Sequence, residues 1–140
     1  MRILGLDYGS KTLGVAISDP FGWTAQGLET ITRKDENDLV RTIIRLREII
    51  EEYSINKIVL GLPKNMNNTE GERVEKTLVF KRRLEREFGI DVLTWDERLS
   101  TIGAQRLLIE ADVHKKKQKK VIDKMAAVFI LQGYLDLNQQ

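Results

Sequence analysis

"MRILGLDYGSKTLGVAISDP" (residues 1–20) decides how the rest of the chain is read. Ile3, Leu4 and Leu6 form a short apolar strand with Asp7 at its end, and Leu13, Val15, Ala16 and Ile17 form a second. Gly9 and Gly14 permit tight turning and close backbone approach, so the two strands read as a hairpin. A carboxylate next to an apolar core is costly unless it is paired or bound to a cation. The hairpin supplies Asp7 with no such partner, so the partner must come from elsewhere in the chain.

Outward from the hairpin, "TAQGLETITR" (24–33) carries a weak strand pattern around Leu28 to Thr32, a third strand set to pair with the second. Between Asp35 and Tyr53, Leu39, Ile43, Leu46, Ile50 and Tyr53 recur at helical spacing among Arg, Lys and Glu, which predicts an amphipathic helix. "INKIVLGLP" (55–63) reads as a strand buried on both faces, stopped by Gly61 and by Pro63, which lacks a backbone donor. Thr69 and Glu72 make a capping box for a second helix with Val74, Leu78, Leu84 and Phe88 on its stripe, ending at Gly89. Ile90 to Trp95 is a further buried strand running into an acidic tip. Ser100 or Thr101 then caps a helix through Glu110. A last helix runs from Val121 to about Leu137, with Ile122, Met125, Phe129 and Gly133 along one side.

Three sequential strands followed by alternating helices and strands predict an α/β fold, a five-stranded mixed sheet flanked by helices. The length, 140 residues, fits one domain spanning 1–140. In sheets of this kind, sites form beyond the strand ends where neighbouring connections diverge. Asp7 and the "DE" pair at 96–97 both occupy such positions.

Composition narrows the chemistry. With no cysteine there is neither a disulfide framework nor a thiolate metal site, which suits a reducing cytosol. The N-terminus has no long apolar run, so neither a signal peptide nor a membrane span is expected, and a cytoplasmic protein is. The formal charge is +2 from 23 basic and 21 acidic residues, but five lysines lie in "HKKKQKK" (114–120); without them 18 basic face 21 acidic residues, a net of −3. A cluster this concentrated commonly meets a polyanion, although a solvated loop has the same composition.

Three acids are placed to converge: Asp7, Glu97, and Asp123 in the first turn of the last helix. Each has an ordinary explanation alone. Asp7 could cap a turn, Glu97 could pair with Arg98, and Asp123 could favour the helix dipole. Together they form an all-oxygen set suited to Mg²⁺ or Mn²⁺, and two ions clamped about 3.5–4 Å apart could activate water against a phosphodiester. Ala126 and Ala127, one turn beyond Asp123, let the helix tuck against the sheet. Asp96 points opposite to Glu97 by strand alternation, and Asp19 starts the turn before Pro20. His114 is the only histidine, which removes catalytic triads and makes it a loop residue. Arg98, Lys115, Lys116, Lys117, Lys119 and Lys120 are the candidate contacts to nucleic-acid phosphates.

"LDYGSKTLGVAISDP", "TAQGLETI", "VLGLPKNMNNTEG", "WDERLST" and "VIDKMAAVFILQGYLD" together resemble the YqgF-type pre-16S rRNA nucleases, also described as Holliday-junction-resolvase-like. The five ordered motifs are specific and span nearly the whole chain. The resemblance implies an RNase H-like fold, a cytoplasmic role in maturing the 5′ end of 16S ribosomal RNA, and Asp7, Glu97 and Asp123 as the acidic site. One departure is "NMNNTEG", where Asn67 and Asn68 stand for the family's usual Asp and Gly; asparagine tolerates the left-handed turn, but a role for an acid there is lost. Three functions stay open: a metal-dependent nuclease on precursor rRNA, a resolvase on branched DNA, and a non-catalytic RNA-binding factor. An actin-type nucleotide hydrolase would need two such domains, for which the chain is too short.

Overall fold

The computed structural model describes residues 2–63, 71–96 and 118–138. Five strands, β1 (Arg2–Tyr8), β2 (Thr12–Ser18), β3 (Ala25–Thr32), β4 (Ile55–Leu62) and β5 (Asp91–Asp96), form one mixed sheet in the order β3-β2-β1-β4-β5. β1 pairs antiparallel with β2, and β2 with β3, whereas β1, β4 and β5 run parallel. The predicted five-stranded mixed sheet is therefore present, with β1 at its centre.

Alternation along β1 separates two cores. Leu4, Leu6 and Tyr8 point to one side, where they pack with residues of α1 (Val40–Tyr53) and α2 (Gly71–Phe88). On the other side Ala16, Val59 and Trp95 meet Ala127, Ile130, Leu131 and Leu135 of α3 (Gln118–Asn138). Phe80 is fully buried and stacked on Tyr8, with ring centroids 4.2 Å apart. Truncating such a ring costs about 3–5 kcal/mol, so this pair anchors α2 to the central strand.

Several boundaries differ from the sequence reading. α1 begins at Val40 rather than Asp35. Asp35 accepts the Asn37 N–H on its side chain (2.9 Å) and the Asp38 N–H on its carbonyl (3.1 Å), and this local turn outcompetes helix. On α2 the buried positions are Thr77, Phe80 and Leu84, so the predicted stripe through Val74 and Leu78 is only its flank. β5 is an edge strand on which only Val92 and Trp95 are buried, one in each core, rather than a strand buried along its length. α3 starts three residues early, so Lys119 and Lys120 belong to it and Asp123 lies in its second turn, not its first. Thr69, the helix expected through Glu110, and the "NMNN" loop lie outside the described residues.

The face of α3 also differs. Ala126, Ala127, Ile130, Leu131 and Leu135 are buried, whereas Met125, Phe129 and Gly133 of the predicted stripe are half-buried. The helix is apolar almost all round, so periodicity could not select its inner side. Sheet glycines select it. A side chain at Gly5 would place Cβ 2.6 Å from Leu131 Cβ and 3.1 Å from the Ala127 carbonyl, and one at Gly14 would run into the Asp123 carbonyl.

Gly14→Ala is expected to lower unfolding free energy by about 1–3 kcal/mol through overpacking. Gly71→Ala, with open space at its Cβ position, should stay within about 1 kcal/mol of the parent. Urea titration of both variants checks the contrast.

Candidate active site at the end of β1

Asp7 is the penultimate residue of β1 and its Cα partner on β2 is Gly14. Directly paired residues in an antiparallel ladder project to the same face, so Asp7 faces the α3 side, where Gly14 offers no side chain. The backbone of α3 settles into that gap at Asp123. The acid at the end of the first strand and the acid of the last helix thus lie on one face of the sheet, beside one glycine.

Thr12, two residues before Gly14 and on the same face, is nearly buried, and its hydroxyl donates a short hydrogen bond to Asp123 Oδ2. The bond orients the carboxylate and leaves Oδ1 outside that contact. Thr12 was missed in the sequence, because a threonine at a strand start has no signature that separates it from an ordinary β-former. Asp7 also has an interaction of its own in the folded chain.

The parallel run of β1, β4 and β5 brings the tip of β5 to the same end of the sheet. Leu62 pairs with Asp96, and Gly61 pairs with Trp95. Trp95 belongs to the α3-side core, so Asp96 shares the opposite face with Val92. Of the residues predicted to act, Asp7 and Asp123 come together. Glu97, Arg98, Lys115, Lys116 and Lys117 lie outside the described residues, as do the side chains of Lys119 and Lys120 and the whole of His114. Among the described residues no three acidic or histidine side chains gather tightly enough to hold a metal. The pair present is nonetheless of the right chemistry for a hard cation: two carboxylates, one pre-oriented by a hydroxyl, with glycine between them. Asp19 does what its position suggested, accepting the Trp23 N–H at 2.7 Å in the β2–β3 turn.

The opposite face of the same strand end is clamped by cations. The Arg33 and Arg73 guanidinium carbons lie 4.7 and 5.3 Å from the Tyr8 ring centroid. Arg33 donates to the Gly9 carbonyl, and Arg73 to the Tyr8 carbonyl at 3.0 Å. These bonds hold the backbone on the C-terminal side of Asp7. Glu36 ties the group together, accepting from Arg73 at 2.6 Å and from Lys76 at 3.0 Å. Its hydrogen bond from Lys76, then that from Arg73, holds the Glu36 carboxyl below its ordinary 4.5. Burial lowers the pKa of Arg33, opposed by the nearby Tyr8.

A match to the family model of the RuvX Holliday junction resolvases extends over residues 1–137. The chain belongs to that family. A relative from Geobacillus sp. (strain WCH70), named as a pre-16S rRNA nuclease, is 60% identical over 139 residues, 99% of this chain and 100% of its own. Another of the same name from Listeria monocytogenes serotype 4b (strain CLIP80459) is 60% identical over 136 residues, 97% of this chain and 98% of its own. Among solved structures, RuvC of T. thermophilus in complex with a Holliday junction substrate superposes with a TM-score of 0.63 at 15% identity, covering 98% of this chain and 95% of that one. The Fowlpox virus resolvase with its Holliday junction DNA gives 0.56 at 13% identity, with both chains fully covered. The fold of this RuvX protein is therefore that of the RuvC-like resolvases, the RNase H-like arrangement expected from the sequence. The family is one of nucleases, hydrolases of phosphodiester bonds, which bind nucleic acid and generally depend on a divalent metal. No helix among the described residues is long and apolar enough to cross a membrane.

The depressed Glu36 sets a pH dependence. Because its folded pKa lies below the unfolded value, its stabilising contribution is present above pH 4.5 and is lost as pH falls through the lowered folded value. Glu36→Gln should therefore be less stable than the parent near neutrality, and the two urea midpoints should converge on acidification; parallel curves down to pH 3 would contradict this.

Proposed function

We propose that this RuvX-family chain hydrolyses phosphodiester bonds with a divalent metal bound by Asp7, Glu97 and Asp123, and that its substrate is the 5′ region of precursor 16S ribosomal RNA. The observation that carries the site is the seating of Asp123 on Gly14, opposite Asp7, with Thr12 holding one carboxylate oxygen. Strand alternation supports Glu97 as the third member. Asp96 shares the face of Val92, opposite the Trp95 face that α3 covers, which leaves its neighbour Glu97 as the acid to join Asp7 and Asp123. The names of the relatives 60% identical over almost their whole length support the RNA substrate.

Mg²⁺ or Mn²⁺, two ions in this reading, supplies Lewis acidity and an activated water at the scissile phosphate. The protein's own part is positional. The Thr12 hydroxyl fixes Asp123, the Arg33 and Arg73 clamp steadies the turn after Asp7, and the small residues of α3 keep the helix close. Lys115, Lys116, Lys117, Lys119 and Lys120, with Arg98, serve to hold backbone phosphates. The whole works as one domain over residues 1–140 in the cytoplasm.

A second reading rests on the family name and on the fold shared with resolvases: branched DNA as substrate. Labelled precursor rRNA and a four-way DNA junction, offered side by side with Mg²⁺ and Mn²⁺, separate the two. RNA-only cutting is expected. Binding without cutting under any metal would instead favour a non-catalytic RNA-binding factor.

Asp7→Asn, Glu97→Gln and Asp123→Asn should each lower the cleavage rate by at least about 100-fold, since even outer partners of metal ligands are worth about 10–100-fold. Thr12→Val should raise the Mg²⁺ concentration for half-maximal cleavage by about 10-fold while leaving the fold intact by circular dichroism. Parent-like rates in the Asp variants would remove the site assignment.

A further inference from the structure

Six of the described cations on α1 and α2 sit in ion pairs. Arg45 binds Glu29 and Glu48, Arg47 and Arg83 bind Glu87, Lys81 binds Glu85, and Arg73 and Lys76 share Glu36. Lys11, Lys34 and Arg41 are outside these pairs, and unlike other such cations, for example Arg82 and Arg86 on α2, they flank the end of β3 and the start of α1. They are exposed and close together in the fold. The Lys11 carbonyl accepts the Arg33 N–H at 2.8 Å, and Thr32, Arg33, Lys34, Asp38 and Arg41 line an open cleft of about 370 Å³ between the end of β3 and the start of α1.

The wall of this cleft carries buried positive charge. Arg33 is only 8% exposed, and the hydrogen bonds it donates go to the neutral carbonyls of Gly9 and Glu36. Its Nη1 has no hydrogen-bond partner. The nearest carboxylate, Glu36, is already committed to Arg73 and Lys76. Asp38 also lines the cleft, but its Oδ1 accepts the Val40 N–H at 3.4 Å. A guanidinium taken out of water without a carboxylate in contact is costly, and an anion seated in the cleft offsets that cost.

The cleft lies at the Asp7 end of the sheet. Asp7 pairs with Gly14, Gly14 with Thr30, and Thr32, which lines the cleft, pairs with Thr12. Two strand spacings separate Asp7 from β3, about 10 Å, or on the order of three nucleotides at 3.4 Å each along one strand of a duplex. We propose that Lys11, Arg33, Lys34 and Arg41 form a backbone-phosphate contact for the nucleic-acid substrate, across the edge strand and a few nucleotides from the cleaved bond. The assignment rests on the nuclease reading and adds residues other than the lysine run of 115–120.

The test uses the full chain and a fluorescein-labelled duplex RNA of about 20 base pairs, read by anisotropy in Ca²⁺ over a range of KCl concentrations. Lys34→Glu with Arg41→Glu is expected to weaken binding at least about 10-fold near 0.1 M salt and to flatten the slope of log Kd against log salt by about 1 per lost phosphate contact. Arg82→Glu with Arg86→Glu, an equal charge change on the exposed face of α2, should leave the slope near the parent's. If both doubles bind alike, or if the first matches the parent, the cleft proposal is overturned while the nuclease reading stands. A parent protein that neither binds nor cuts RNA or DNA would overturn both.

Discussion

The close approach of α3 to the centre of the sheet is the constraint on which the rest depends. Backbone-to-backbone contact of this kind requires glycine in the strands, and Gly5 and Gly14 supply it where Leu131, Ala127 and Asp123 cross. The apolar part of the contact, Ile130, Leu131 and Leu135 against Ala16, Val59 and Trp95, provides the driving force. The polar part, Asp123 beside Asp7 with Thr12 bonded to it, is carried along by the same packing. A carboxylate pair would repel if left to itself; here a helix pinned along three turns holds it.

Each half of the sheet has its own task. The antiparallel half, β3-β2-β1, sets the register that places Gly14 opposite Asp7. The parallel half, β1-β4-β5, lines up strand ends so that Asp96, the last residue of β5, reaches the same end of the sheet as Asp7. The face away from α3 is shut by Phe80 on Tyr8, with Arg33 and Arg73 on the ring and on nearby carbonyls. Site and support therefore lie back to back on β1, so loosening the cation clamp would be felt at Asp7 without any contact to it.

The charge distribution has the same logic at longer range. Acid–base pairs along α1 and α2 cancel one another on faces remote from the strand ends. Lys11, Lys34 and Arg41, outside those pairs, lie at the end of the sheet that carries Asp7, on the turn after β1 and beside the end of β3. Acids at the strand end with a positive rim beside them are the arrangement that the proposed phosphodiester substrate demands.

Much was legible in the residues themselves. Alternation and punctuation by Gly and Pro determined the five strands, and the local chemistry of Asp19 and Gly89 determined two stops. These depend on neighbours in sequence, which is why a single chain reveals them. The start of α1 was misread because a turn at Asp35 competes with helix at equal local propensity, and the inner face of α3 because a helix apolar all round has no preferred side until a partner is present. Thr12 as the support of Asp123, the Arg33 and Arg73 clamp, and the cleft beside β3 join residues up to 111 positions apart. Only tertiary packing decided these, since a contact between distant segments depends on how layers settle on one another, which no local pattern encodes.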